Sequence, residues 1–388
     1  MDRGVGAVAR GDTGDSGMRG LTGRVLLALA GTCVALLVSE GVFRVLGWGN
    51  PAMCYDFKLR WLPSSPFYVH DDPEIRIALR PSFIGRMVYE RVPDGKVLKS
   101  VAYRISKAGL RGVDRPATPE PGTTRILALG DSFTFGEGVH DDETYPAVAE
   151  RMLQKQGRYE VLNAGVPMWN LHQEVRWLET EGARRQPHII TLGFFVNDLE
   201  TIVYRNPKDP LPPDVARVPE WATWERGIRQ YSFLVNHIAR YFERRRLARV
   251  LLGTQRDYRD ALRAAMDTDE FNTLLQDGLR RFKNQCDLLQ ARCIVLLLPL
   301  LDTFHADPMA DLLDRADTEA RRLDLETLNM IPALQHLSQV ELTVMPGEAH
   351  PSARAQEAMG EALASYLARC PTPCRTDPPS NRHAPPAP

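Results

Sequence analysis

Short apolar runs, each broken by glycine or by a polar pair, recur through the middle of this chain, and stretches of helical spacing separate them. Residues 126–129 (ILAL) break at Gly130, and residues 160–166 (EVLNAGV) contain Asn163-Ala164-Gly165. Residues 188–198 (HIITLGFFVND) end on Asn197-Asp198, and residues 293–298 (CIVLLL) form a fourth run. Runs this short, with no polar alternation, fit strands buried on both faces. The pattern predicts strands near residues 125, 160, 188 and 293 and a further one near 341, with helices near 145, 171, 275, 315 and 355. Alternating strand and helix predicts a parallel sheet covered on both faces, because parallel strands need a crossover long enough to hold a helix.

Four segments lie outside that rhythm. From Val25 to Val38 the chain carries no charge, and apolar character continues past Glu40 and Arg44 to Leu46. The uncharged core is shorter than the roughly 20 residues of a bilayer span. Glu40 and Arg44, however, lie one turn apart on one helical face, where they can pair or snorkel at an interface. Residues 25–47 therefore read as a signal anchor, a transmembrane helix. Arg19 and Arg24 on its amino side argue that residues 1–24 stay cytoplasmic and that the remainder is exported. A cleaved signal peptide competes with this reading. Against it, no small-x-small site stands clear between Val38 and Trp48, and Thr32 before Cys33 departs from a lipobox. Residues 1–17 are rich in Gly and Asp, and Met18-Arg19 is the expected start of the protein.

Residues 48–122 form a linker and accessory segment. It holds a basic, hairpin-like stretch from Arg86 to Lys107 and a Pro-rich linker at 116–122, and is expected to pack on the sheet edge or shape the cleft. The main domain, residues 123–368, is interrupted at about 199–268. There Ser232 to Leu252 sets Arg240, Arg244, Arg245, Arg246 and Arg249 among apolar residues. Such a helix is either a cap with a solvated face or one that rests on an anionic membrane or meets a polyanionic glycan. The Pro-rich tail, 369–388, is expected to be disordered.

A chain of 388 residues suits one core plus an anchor and an insertion. Its 48 Lys and Arg against 49 Asp and Glu leave a net charge of −1, too balanced for phosphate-driven binding, so no nucleic-acid partner is expected. Six cysteines in an exported chain permit disulfides. Cys286/Cys293 and Cys370/Cys374 are the candidate pairs; Cys33 lies in the anchor, and a buried free thiol is the alternative for Cys293.

The chemistry concentrates where the apolar runs end. Gly130-Asp131-Ser132 places a hydroxyl at a strand's carboxyl end, where the reacting groups of open α/β sheets gather. Gly-Asp-Ser is also an ordinary turn sequence. Neither the Walker spacing nor the GxSxG elbow is present. Three further segments supply what acyl transfer needs. Gly165 offers a bare backbone N–H, Asn197 an amide donor for an oxyanion, and His350, in residues 345–352 (MPGEAHPS), a general base. Asp131 reads as structural, tying down local N–H groups. His140, His172, His188, His237, His305 and His336 show no metal-ligand spacing, and neither a metal nor a cofactor is expected. Trp169, Phe194 and Phe195 are either core or cleft lining.

In combination these residues resemble the SGNH hydrolase superfamily, also called the GDSL esterase and lipase family, over roughly residues 100 to 368. The resemblance implies a flavodoxin-like three-layer α/β/α sandwich with a parallel sheet, here with an N-terminal transmembrane helix. It also implies Ser132 as nucleophile, His350 as base, and an oxyanion hole built from the N–H groups of Ser132 and Gly165 with the Asn197 side chain. Residues 105–112 (ISKAGLRG) are similar to the lead-in of membrane-anchored bacterial members. One position departs from the pattern. The family carries Asp three residues before its catalytic His, and Gly347 stands there. Glu348 is the nearest carboxylate and the expected orienter of His350; the alternative is a dyad held by a backbone carbonyl.

The implied activity is ester hydrolysis on an extracytoplasmic glycan or lipid, at the cell surface or in the periplasm, with carbohydrate O-acetyl groups preferred. A membrane-anchored polysaccharide O-acetyltransferase fits the same residues. A non-catalytic envelope binding module is the third reading, separable by whether Ser132 Oγ lies within hydrogen-bond reach of His350.

Overall fold

The computed structural model describes residues 15–46, 48, 57–91, 96–199, 231–239, 241–242, 258–346 and 348–369. The first element, α1 (Asp15–Leu46), contains an apolar stretch, Arg24–Leu46, long enough to cross a membrane and buried nowhere against the protein. At 1.5 Å per residue its 23 residues span about 34 Å, against the roughly 30 Å of a hydrocarbon core. Glu40 and Arg44 pair as their spacing predicts, at 2.7 Å. Glu40 does more than that. It accepts hydrogen bonds from Ser232 Oγ and from the backbone N–H groups of Phe233 and Leu234, capping a helical stretch at 233–239. The arginine cluster at 240 and 244–249 lies outside the described residues, as do Cys370 and Cys374.

The accessory segment contains two small sheets. Strands β1 (Phe57–Leu62), β4 (Ile84–Arg91) and β5 (Val97–Arg104) form one antiparallel sheet, and β2 (Phe67–Val69) pairs with β3 (Ile77–Leu79). The basic hairpin is thus β4–β5. Its exit strand leads through Ile105 to Arg111, which bridges to Asn163 on the edge of the main sheet.

That main sheet has five parallel strands: β6 (Thr124–Gly130), β7 (Tyr159–Gly165), β8 (Ile189–Phe195), β9 (Arg292–Leu298) and β10 (Glu326–Asn329), in the order β10-β9-β8-β6-β7. Apart from short β10 and the first residues of the others, every position is buried. Strands covered on both faces read as unbroken apolar runs for this reason. The helices around it include α2 (Ser132–Phe135), α3 (Tyr145–Leu153), α4 (Leu171–Trp177), α5 (Tyr258–Met266), α6 (Asp269–Leu289), α7 (Ala310–Arg322), α8 (Gln339–Leu342) and α9 (Ala353–Arg369). On one side of the sheet α3 packs against α9; α4, α6 and α7 pack in sequence as the other layer. The result is the doubly wound, flavodoxin-like sandwich.

One expected strand is a helix. Residues near 341 form the single turn α8, because Ser338 and Glu341 make a capping box that closes its first turn. The fifth strand is β10, four residues long and paired only with β9. Cys286, in the last turn of α6, is disulfide-bonded to Cys293 at the start of β9, so the sequence pairing holds and the free-thiol alternative does not.

Three side chains weld the accessory segment to the sandwich. Trp169 Nε1 and Gln173 Nε2 donate to the carbonyls of Ile77 and Ile75. Arg111, whose side chain is 1 % exposed, donates to the carbonyls of Phe135, Gly136 and Val139 at 2.5–2.7 Å and to Asp141 at 3.2 Å, and stacks over the Phe135 ring. Removing one partner from such a buried charged network costs about 3–5 kcal/mol. Arg111→Met is therefore expected to lower the unfolding free energy by about that amount. Thermal denaturation in detergent checks it, and a loss under about 1 kcal/mol would mean that water replaces the guanidinium at those carbonyls.

Candidate active site

Where β6 ends, Asp131 caps α2 by accepting from Phe133 N–H at 2.8 Å and so fixes Ser132 at the helix start. Asp131 is structural, as its place in a turn suggests. Strand β7 lies on one side of β6 and β8 on the other, so the chain reverses direction here. That reversal opens the crevice of a doubly wound sheet at the carboxyl ends of β6 and β8. Asn197 lies in the turn Val196–Leu199 directly after β8, closed by Asp198, which accepts from Phe195 N–H.

His350 enters from the opposite end of the chain, between α8 and α9. Its Nε2 lies 2.8 Å from Ser132 Oγ. Asp131 Oδ2, at 3.4 Å, is the more distant partner of the Ser132 hydroxyl. On the other side of the ring Nδ1 bonds to Glu348 Oε1. Glu348 Oε2 accepts from the backbone N–H of His350 at 2.7 Å, so both carboxylate oxygens grip one residue. This arrangement explains how a carboxylate one position nearer than usual still reaches the ring: the extra methylene of Glu lets it fold back over its own turn. Glu348, the carboxylate singled out from the sequence, thus lies against the His350 ring.

Gly165 requires a correction. Its N–H is not bare, because it donates to Asn163 Oδ1 at 3.0 Å, while Asn163 Nδ2 donates to Thr134 O. What glycine provides here is proximity. A Cβ at this position would come within 2.2 Å of Phe135 N, so only Gly lets β7 lie against α2. Asn197 lies close enough to Asp131 to favour its charged form, and its Oδ1 is buried with no partner. The aromatic residues weighed as cleft lining are core: Trp169 and Phe194 are buried, and Phe195 stacks on Phe133 with ring centroids 4.0 Å apart. His172, His188 and His305 each bond a main-chain group and are structural.

One acidic residue escaped the sequence reading. Glu137, in the loop after α2, is buried, with Oε1 3.8 Å from His350 Nδ1. The signal was an acid between two glycines in the nucleophile segment itself. Burial pushes the Glu137 carboxyl up, only partly opposed by the charge of His350. For His350 burial acts downward, but the carboxylates of Glu348 and Glu137 outweigh it and hold the imidazole up at about 10. Deeper still, Glu174 is fully buried with neither oxygen partnered, and burial followed by the charge of Asp131 raises it well above the carboxylate range. Among the described residues, Glu137, Glu348 and His350 are also the grouping whose ligand atoms lie close enough, within 4.8 Å, to hold a cation. A metal there would have to displace the proton on Nδ1 that Glu348 holds.

Residues 128–358 match the model of the GDSL-like lipase/acylhydrolase family. No curated protein matches the chain. Solved structures similar to it include a G-D-S-L family protein from Desulfitobacterium hafniense DCB-2, 15% identical, covering 63% of this chain and 99% of its own, with a TM-score of 0.37. A lipase/acylhydrolase from Enterococcus faecalis is 14% identical, covering 65% of this chain and all of its own, at the same TM-score of 0.37. Axe2, an acetylxylan esterase from Geobacillus stearothermophilus, is 15% identical over 63% of this chain and 94% of its own, again at 0.37. With well over half of its length matched by the family model, the chain belongs to the GDSL-like lipase/acylhydrolase family, hydrolases acting on ester bonds.

Proposed function

We propose that the protein is a membrane-anchored serine esterase that removes small acyl groups, O-acetyl above all, from an extracytoplasmic glycan or lipid. The observation that carries the serine mechanism is the unbroken line Ser132 Oγ, His350 Nε2, His350 Nδ1, Glu348. As Ser132 Oγ attacks the ester carbonyl its proton passes to Nε2, and Glu348 holds the ring and balances the imidazolium. The tetrahedral oxyanion forms beside the Ser132 N–H, at a helix start where N–H groups lack intrahelical partners, and beside the Asn197 amide. Gly165 joins them only if Asn163 releases its N–H. Collapse of the intermediate expels the alcohol, which takes the proton from Nε2, and water then clears the acyl-serine by the same steps.

Small acyl groups are favoured by the tightness of the site. Ser132 is 7 % exposed, and the Phe133 ring lies 5.7 Å from that of His350. Helix α1 argues for a substrate at the membrane face, with the sandwich on the exported side as the flanking Arg19 and Arg24 suggest. The hydrogen bond from Ser132 to His350 speaks against the non-catalytic module. The transferase differs only in which hydroxyl accepts the acyl group.

The test is acetate release from p-nitrophenyl acetate and from an O-acetylated glycan by the full-length chain in detergent. Ser132→Ala is expected to abolish turnover and fluorophosphonate labelling while leaving Tm nearly unchanged; labelling that persists would sink the nucleophile assignment. Acetate that moves to an added unacetylated glycan instead of to water would identify the transferase. Asn197→Ala is expected to lower kcat by about 10²–10³, the usual cost of one oxyanion donor. Only the neutral imidazole can accept the serine proton, and the surrounding carboxylates hold His350 up at about 10. Activity should therefore climb as pH rises through the alkaline range, and a profile already flat at neutral pH would contradict this environment for His350.

A further inference from the structure

The catalytic histidine has two acidic neighbours, and the mechanism above uses one. Glu137 is delivered from the nucleophile loop by a rigid piece of backbone. Gly138, beside it, is left-handed at φ +85, and a Cβ there would meet Val344 at 2.6 Å and the Tyr89 hydroxyl at 2.8 Å. Arg111 holds the carbonyls of Phe135, Gly136 and Val139 on both sides of Glu137, and Gly138 N–H donates to Met87 Sδ. A loop held this firmly has no need of an acid for its own stability, and burying a carboxyl carries a cost. The side chain nevertheless runs inward to stop 3.8 Å from Nδ1, which already bonds Glu348.

We infer that Glu137 is a second orienting carboxyl for His350, a positioning residue that takes the Nδ1 proton's hydrogen bond when the ring turns from Glu348. The inference rests on the serine-esterase reading. At 3.8 Å the contact is too long for a hydrogen bond and short enough that a small rotation of the imidazole makes one. No proton leaves Nδ1 in this scheme: the serine proton goes to Nε2 and later to the leaving alcohol, while the two carboxyls share the imidazolium's charge. The work of the Asp missing at Gly347 is thereby divided between Glu348, next to the base, and Glu137, next to the nucleophile. The other groups facing this cluster are Asp131 at the end of β6, Arg111 from the lead-in, the Tyr89 phenol on β4, and Lys99 on β5, which faces Glu348.

The test compares wild type, Glu137→Gln, Glu348→Gln and the double variant, each as full-length chain in detergent. The rate of fluorophosphonate labelling of Ser132 and kcat/KM for p-nitrophenyl acetate are followed across pH. Removing a negative charge beside His350 lowers its pKa, so the rising limb is expected at lower pH in Glu137→Gln and lower still in the double variant. Glu348→Gln should lose only about 10- to 100-fold at the plateau, far less than the ~10⁴ of an unreplaced orienter, and the double variant at least ~10-fold more than that. A limb unmoved in Glu137→Gln, or a double variant no worse than Glu348→Gln, overturns the inference even if Tm falls. Should Glu137→Gln fail to fold, Glu137→Asp withdraws the carboxyl by one methylene; its limb is expected below that of wild type, and an unmoved limb overturns the inference equally. Wild type that takes no label defeats the serine-esterase reading itself, which labelled wild type with an unmoved limb does not.

Discussion

The guanidinium of Arg111 is the constraint on which the rest of this active site depends. A buried charge with several N–H donors is costly to desolvate, and the cost is met here by three loop carbonyls, a carboxylate and an aromatic face in one place. Those carbonyls belong to the loop that leaves the nucleophile helix. In the doubly wound fold such a loop would ordinarily be free to breathe, since loops at the strand ends carry the fewest contacts. Here it is held by a residue from before the first strand of the sheet, so the accessory segment acts as part of the catalytic domain. The hydrogen bonds from Trp169 and Gln173 to β3 and its neighbour repeat this connection from the second strand's loop.

With the loop held in place, the site can concentrate acids. Asp131, Glu137, Glu174 and Glu348 all lie near or beneath the Ser132–His350 pair, and each is buried. They differ in how they are compensated. Glu348 is fastened at both oxygens to His350, Asp131 takes the first turn of α2, and Glu174 has no hydrogen-bond partner and is pushed well above the carboxylate range by burial. Carboxyls around an imidazole favour its charged form, so they can balance a charge that His350 acquires.

Much of this was legible from the chain alone, for physical reasons that also set the limit. Strands β6 to β9 announce themselves because both faces are covered, and α3, α4, α6, α7 and α9 by their spacing. Strand β10 does not: four residues paired on one side carry too little apolar signal, whereas Val340, Leu342 and Val344 alternate like a strand in a segment that Ser338 and Glu341 cap as a helix. The residues at the strand ends were readable because the fold gathers them at one crevice, and Glu348 because it adjoins His350. Glu137 was marked only by its place between two glycines, since its meeting with His350 is made by the fold. The bond between Gly165 and Asn163 was hidden for the opposite reason. A side chain two residues away occupied an N–H that sequence alone leaves open.

The contact of Glu40 with the 233–239 helix ties the amino-terminal apolar helix to the insertion. Glu40 belongs to the apolar helix, yet its carboxylate serves as the cap of an element almost two hundred residues later in the chain. A cap of this kind is worth about 1 kcal/mol to the helix it closes. Retaining or losing the amino-terminal helix is therefore not neutral for the rest of the chain. A chain lacking the amino-terminal helix would leave the start of the 233–239 helix uncapped.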